Sequence, residues 1–346
     1  MSPKCAIPSR ILIGLWMLGV TLLLAAASPG GEAPPSVGDA PRPHAKVPDP
    51  TETVRPAAPA VIDVGLYAVR MSSIDITNNQ YSIDFYVWFR WKDEALKPYE
   101  TFELVNGKID SRQLDCVRRL NGQQYACVRV TATVTKAWDV RRFPLGRQTC
   151  TLEIEDSDLE ADQLRYVADA GPSGVDAGLD VSGWKVDGCV TDVTTHVYAT
   201  TYGDIRQRPG KTAQFSRFVF TTEMSRKGIF HSLKIFSGLY MAALVAFTAF
   251  FVKPDHRLGV NIGAVFAVVA SHTVISSYLP EAGVLTLADK LHLVTAAVIV
   301  VALFETAYAL HLQHRGRPQS VRRFDRITFW ITAPAYLAAN AFFLVP

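Results

Sequence analysis

Four apolar segments fill the last third of this chain, roughly 229–252, 258–279, 287–312 and 324–345, and they constrain it most. Each is about as long as a helix must be to cross a bilayer, ~20 residues. The second is the least suited to lipid. Gly259, Gly263, Phe266, Ala270, Thr273 and Ser277 recur in steps of three and four, so they share one helical face. Val260, Ile262, Val265, Val268, Val269 and Ile275 take the other faces. A membrane helix with a small, hydroxylated stripe needs protein or water there, not hydrocarbon. Two arrangements answer that need: a tightly packed bundle, or a helix lining a pore.

The charges between the segments set their orientation. Lys253-Pro254-Asp255-His256-Arg257 joins the first two, and Arg315, Arg317, Arg322, Arg323 and Arg326 lie between the last two. The middle connection, PEAGVLT from Pro280 to Thr286, has no Lys or Arg. The positive-inside rule assigns both basic linkers to the cytoplasm, so everything before residue 227 and the C-terminus lie outside. The N-terminus agrees. Lys4 and Arg10 precede an apolar run from Ile11 to Leu24, and Ala25-Ala26-Ala27 offers a cleavage site. Residues 1–27 read as a secretory signal peptide, with an uncleaved anchor as the other reading.

Between these ends the pattern changes twice. Residues 28–60 are rich in Pro, Gly and Ala and read as a disordered linker. From 61 to 226, short alternating runs such as YSIDFYVWFRW, YACVRVTATVT, CTLEIED and SRFVFTTEM are separated by turn residues. They predict an all-β sandwich, immunoglobulin-like, followed by an all-α four-helix membrane domain over 227–346. Export leaves Cys116, Cys127, Cys150 and Cys189 in an oxidising compartment. Asn121-Gly122 is a strong hairpin turn, and Cys116 and Cys127 sit symmetrically about it, so they are expected to bridge. Cys150 with Cys189 is a second, weaker candidate.

Several functions are excluded. There is no basic patch with interleaved aromatics for nucleic acid, and a net charge of +3 on 346 residues gives none by bulk. No Gly-rich phosphate loop, G-x-S-x-G or H-E-x-x-H motif supports an enzyme or a catalytic metal. The acidic run Glu153, Glu155, Asp156, Asp158, Glu160, Asp162 offers hard oxygen ligands for a divalent cation such as Ca2+. Solvated surface charge is the plainer reading, and no cofactor is otherwise implied.

Motifs in order along 61–346 carry a resemblance. WKDEAL at Trp91–Leu96 is similar to a W-x-D-x-x-L strand motif, and WDVRRFPLGRQTC at Trp138–Cys150 to a loop ending F-P-F-D-x-Q-x-C. SRFVFTTEMSR ends in Arg226 just before the first apolar segment, RLGVNIGAVFA opens the second, and Asp289 and Glu305 mark the third. The set resembles the pentameric ligand-gated ion channels of the Cys-loop receptor superfamily, in their bacterial form. Departures are Lys136 in place of the loop's first Cys, Gly146 in place of its Asp, and Gly238 in place of a helix Pro.

The resemblance implies a homopentamer in a bacterial inner membrane, multi-pass, with its N-terminal domain and C-terminus periplasmic. Its partners would be copies of itself, membrane lipid, permeating ions and a small-molecule or proton agonist. Pore-lining residues would be Asp255, Gly259, Gly263, Phe266, Ala270, Thr273 and Ser277, with Phe266 forming an apolar gate and Asp255 favouring cations. His272 falls off the stripe and is expected buried and neutral against a neighbouring helix. The agonist would bind between copies, under the hairpin Tyr202–Lys211, near Tyr86, Asp156, Tyr198 and Tyr202. Coupling would run through Asn78, Phe143, Pro144, Arg226 and Pro280. A non-conducting periplasmic sensor on the same scaffold is the alternative.

Overall fold

Alternation of apolar and polar side chains builds the strands, as the sequence predicts. The computed structural model describes residues 58–203, 212–228, 230–281 and 283–345. The expected signal peptide and nearly all of the expected linker lie outside the described residues. In β1 (Ala60–Asp75), Ile62, Val64, Leu66 and Ala68 are buried; in β2 (Gln80–Trp91), so are Ile83, Phe85, Val87 and Phe89. A two-residue period puts each set on one side of its strand. β3 (Phe102–Leu104), β4 (Gly107–Leu120), β5 (Gln123–Thr135), β6 (Arg147–Asp156) and β7 (Leu164–Ala168) follow, then β8 (Gly174–Val175), β9 (Trp184–Tyr198) and β10 (Ala213–Arg226). A short helix, α1 (Pro98–Thr101), precedes β3.

One sheet runs β4-β5-β2-β1-β7 with β8 on β1, and the other runs β3-β6-β10-β9. Leu152, Ile154, Phe218 and Phe220 supply the buried face of the second sheet. The two inner faces form the sandwich core, each large side chain contributing about 1.5–3 kcal/mol on burial. The W-K-D-E-A-L motif closes on itself at the end of β2. Trp91 Nε1 donates to the Leu96 carbonyl at 3.1 Å, and Asp93 accepts the Ala95 N–H at 3.0 Å.

The hairpin expectation holds. Asn121 and Gly122 have φ of 51° and 74°, both positive as a type I′ turn requires. Cys116 and Cys127 are register partners across it, beside a bulge between Leu114 and Cys116. Both are free cysteines in this structure. Burial also raises the Cys127 thiol above its usual range. The second candidate bridge is overturned by register. Cys150 pairs with Thr222 of β10, and Thr222 pairs on its other side with Cys189. A whole strand therefore separates those cysteines, roughly 10 Å at ~4.8 Å per strand, beyond disulfide reach.

The helical unit holds residues 139–146 and 228–345, and the strand unit holds 58–138 and 147–227. Among the described residues, four helices are long and apolar enough to span a membrane. They are α2 (Phe230–Thr248, continued by a 3-10 turn over Ala249–Phe251), α3 (Pro254–Ser276), α4 (Leu287–His314) and α5 (Pro318–Leu344). α5 begins six residues before the apolar segment does, because Pro318 suits the first helical position and arginines are good helix formers. Arg322, Arg323 and Arg326 thus belong to the helix and not to a linker. Gly238 lets α2 approach α3: a Cβ there would meet the Ser271 hydroxyl at 3.1 Å. Thr286 and Asp289 form a capping box that starts α4. The loop 139–146 joins this unit, with the Leu287 N–H donating to the Arg141 carbonyl at 2.8 Å.

Candidate functional site

The faces of α3 separate sharply. Arg257, Asn261, Ala264, Val268 and Ile275 are buried, and their spacing of three, four and seven residues defines one face. Gly259, Gly263, Phe266, Ala270, Thr273 and Ser277 lie opposite, and all are exposed. Phe266 is 71% exposed, unusual for the largest apolar side chain on the helix. Only 22% of this span is buried against its own chain, as for α5, compared with 50% for α4. The helix thus has one face for its own bundle and a small, polar-edged face left for something else.

Buried charge fixes that rotation. Arg257 points inward and donates to Glu305 on α4 at 2.9 Å, and to both oxygens of Asp325 on α5 at 2.9 and 2.6 Å. One turn on, Asn261 Nδ2 donates to Thr306 Oγ1 at 2.9 Å and to the Ala302 carbonyl at 3.2 Å. Turning α3 about its axis would strand a guanidinium and two carboxylates without partners, a cost of several kcal/mol. Asp255, in the first turn, stays exposed while its Oδ2 accepts from Gln313 Nε2 at 2.9 Å. With Arg257 turned inward, Asp255 is an exposed acid at this end of the stripe.

His272 departs from expectation. It faces α4, but its side chain is 48% exposed and its Nε2 lies 3.2 Å from Asp289 Oδ1. The buried histidine is its ring neighbour His292, held by the Ala288 carbonyl and the Ser271 hydroxyl. A groove of about 600 Å³ between α3 and α4 leaves His272 open.

In the sandwich, Glu155 and Arg217 alternate with the core residues Ile154 and Phe218, so they face outward from the second sheet. They are buried nonetheless. Arg217 donates to Glu155 at 2.7 Å, to Glu153 at 2.6 Å and to the Tyr198 hydroxyl at 3.0 Å. That hydroxyl in turn donates to Glu155 at 3.1 Å. Tyr198 stacks edge-on with Phe215 and with Tyr202, whose ring centroid is 5.5 Å away. Residues 204–211 of the expected hairpin lie outside the described residues. Tyr86 stands on the outer face of the other sheet, under the Arg129 guanidinium, which pairs with both oxygens of Asp84. One chain therefore does not bring Tyr86 to Tyr198.

Asp156 is corrected. Its carboxylate is 1% exposed and accepts from the Thr101 hydroxyl at 2.5 Å and from the Asp158 and Leu159 N–H groups. Burial raises its pKa, against those hydrogen bonds, which lower it. It closes a turn and offers nothing to a ligand. Glu153 and Glu155 of the same acidic run are likewise committed, to Arg217. No cluster fit for a metal occurs among the described residues.

Asn78 bonds back to Asp75 through its N–H and its side chain, at 2.9 and 2.6 Å. Phe143 is buried and precedes Pro144 through a cis peptide, and Pro280 opens the connection to α4. Arg226 lies 3.9 Å over the Trp184 ring, and burial lowers its pKa to about 10. Gly146 stands at φ 105°, a conformation other residues rarely adopt, which explains the absence of an acid there. Sequence reasoning missed Arg217, Asn261 and Asp325. Each matters only through a partner on another strand or helix, so no local pattern marks it.

No protein-family model matches the chain. A proton-gated ion channel of Gloeobacter violaceus is 19% identical over 306 residues, covering 82% of each protein. A gamma-aminobutyric acid receptor subunit theta of Mus musculus is 19% identical over 286 residues, 74% of this chain and 42% of that subunit. The likeness runs along most of the chain, and its β-sandwich followed by four membrane-length helices matches the architecture of the pentameric ligand-gated ion channels, the Cys-loop receptor superfamily.

Proposed function

We propose that five copies of this chain surround an axial pathway lined by the exposed stripe of α3, forming a homopentameric cation channel of the bacterial inner membrane. The observation that carries this reading is the opposition of the two faces of α3, one locked by Arg257 and Asn261, the other small, hydroxylated and uncovered. Gly259 and Gly263 keep one half of the lumen wide, the Phe266 ring forms an apolar constriction, and Thr273 and Ser277 keep the outer half wet. Asp255 rings favour cations at the cytoplasmic mouth. The agonist, a small molecule or a proton, binds at the periplasmic interface where Tyr198 and Tyr202 of one copy meet Tyr86 of the next. Its binding shifts a closed–open equilibrium through Asn78, Phe143, Pro144, Arg226 and Pro280.

Thiol accessibility tests the lining. Ala270→Cys and Thr273→Cys should react with a charged, membrane-impermeant thiol reagent and lose current, whereas Val268→Cys and Ile275→Cys should not. Equal reaction on both faces would remove the stripe from the pathway.

The Cys116–Cys127 bridge belongs to the same reading, closing once the domain is exported to an oxidising compartment. Mass spectrometry of non-reduced protein purified from the periplasmic side should find the two peptides linked. Two alkylatable thiols there would show that they stay reduced.

A further inference from the structure

We infer that the α4–α5 end of the membrane domain is a binding surface for anionic phospholipid headgroups, formed by Arg322, Arg323 and Arg326 with Arg315 and Arg317. All five guanidinium groups are exposed, and none has an ion-pair partner among the described residues. The acids at this end are already committed. Asp325 and Glu305 hold Arg257, and Asp255 accepts from Gln313. α5 itself opens without a side-chain cap and without an acid in its first turn, so its positive dipole end adds to the arginines.

The depth of the cluster points to a lipid. α5 is a 27-residue helix, about 40 Å long at ~1.5 Å per residue, against a hydrocarbon core of about 30 Å. Its exposed apolar side chains begin at Ile327 and continue through Trp330, Ile331, Leu337 and Phe342 to Val345. That stretch covers about 28 Å, close to the full hydrocarbon thickness. The first two turns of α5 therefore project beyond it, at headgroup level. The buried side of the helix runs Val321, Thr328, Thr332, Tyr336, Asn340. Arg323 and Arg326 are on the side away from it, toward lipid. Trp330, one turn beyond Arg326 and 67% exposed, sits where aromatic side chains meet the interface. An unpaired cationic cluster at this depth complements the phosphate of an anionic lipid. The inference rests on the four helices spanning a membrane and not on conduction.

Trp330 is also the test, because it is the one tryptophan after Trp184. The full chain is reconstituted in phosphatidylcholine vesicles containing a small fraction of brominated lipid, and its membrane tryptophan fluorescence is read. Brominated phosphatidylglycerol should associate about fivefold or more in preference to brominated phosphatidylcholine. The preference should fall toward one in an Arg322→Gln, Arg323→Gln, Arg326→Gln variant and in high salt, and survive the matching lysine variant. Single Arg→Gln variants, each expected to lose part of the preference, carry the test if the triple variant elutes aggregated. Equal quenching by the two lipids in the wild type, or a preference untouched by the glutamines, would overturn the inference. So would displacement by millimolar glycerol phosphate, which would assign the cluster to a soluble phosphoester. A channel current without lipid preference would sink this inference alone and leave the conduction reading intact.

Discussion

Arg217→Met should destabilise the strand domain by about 3–5 kcal/mol, the cost of removing one partner from a buried ion pair. Glu155 is fully buried, and Arg217 holds it at 2.7 Å while also reaching Glu153 and the Tyr198 hydroxyl. Methionine fills the space but leaves two carboxylates facing each other without their cation. A loss of that size lowers the thermal midpoint of the domain by roughly 10 °C. Glu155→Gln should cost less, since Arg217 keeps Glu153 and Tyr198. Combining Arg217→Met with Glu155→Leu and Glu153→Gln should recover part of the loss, because no buried charge is then unpaired. Near-ultraviolet circular dichroism against temperature reads all three. A midpoint within about 2 °C of wild type for Arg217→Met would mean that the cluster is solvated and contributes little. Because Tyr198 is held by this cluster, weakened agonist response should accompany the lost stability.

The second large effect is at the constriction. Phe266→Ala should raise resting current about tenfold, since an apolar ring excludes water only while its side chains nearly close the lumen. In the proposed pentamer, a shift of only ~0.3 kcal/mol per subunit gives roughly 1.5 kcal/mol together, about tenfold in the closed–open equilibrium. Phe266→Leu should fall between the two. Unchanged resting current in the alanine variant, with normal assembly, would place the gate elsewhere on the helix. Phe266 is exposed and makes no ring contact among the described residues, so its loss should leave the fold intact.

What the sequence reveals follows from the range of its signals. Strands and membrane helices are legible because their periods, two and 3.6, are written in neighbouring residues, as in Ile62, Val64, Leu66 or in the stripe of α3. The Asn121-Gly122 turn is legible because positive φ at both positions demands those residue types. The start of α5 was not, since hydropathy marks where lipid begins and not where the helix does; Pro318 carried the better signal. Register is the other blind spot. That Cys150 and Cys189 flank Thr222, or that Asp156 is spent on Thr101, depends on which strand lies beside which, and no single segment encodes it. The same holds for the partners of Arg257: three carboxylate bonds to α4 and α5 make it an anchor for the helix, and no single segment encodes them.

Reconstitution in a planar bilayer under asymmetric potassium chloride, with the periplasmic side stepped in pH and in small amines and carboxylates, tests the central claim most directly. The expected result is a gated current that reverses near the potassium equilibrium potential and grows at rest in Phe266→Ala. Reversal near the chloride potential would contradict the role given to Asp255. No current from either protein, in bilayers where cross-linking shows pentamers, would contradict conduction through α3 altogether.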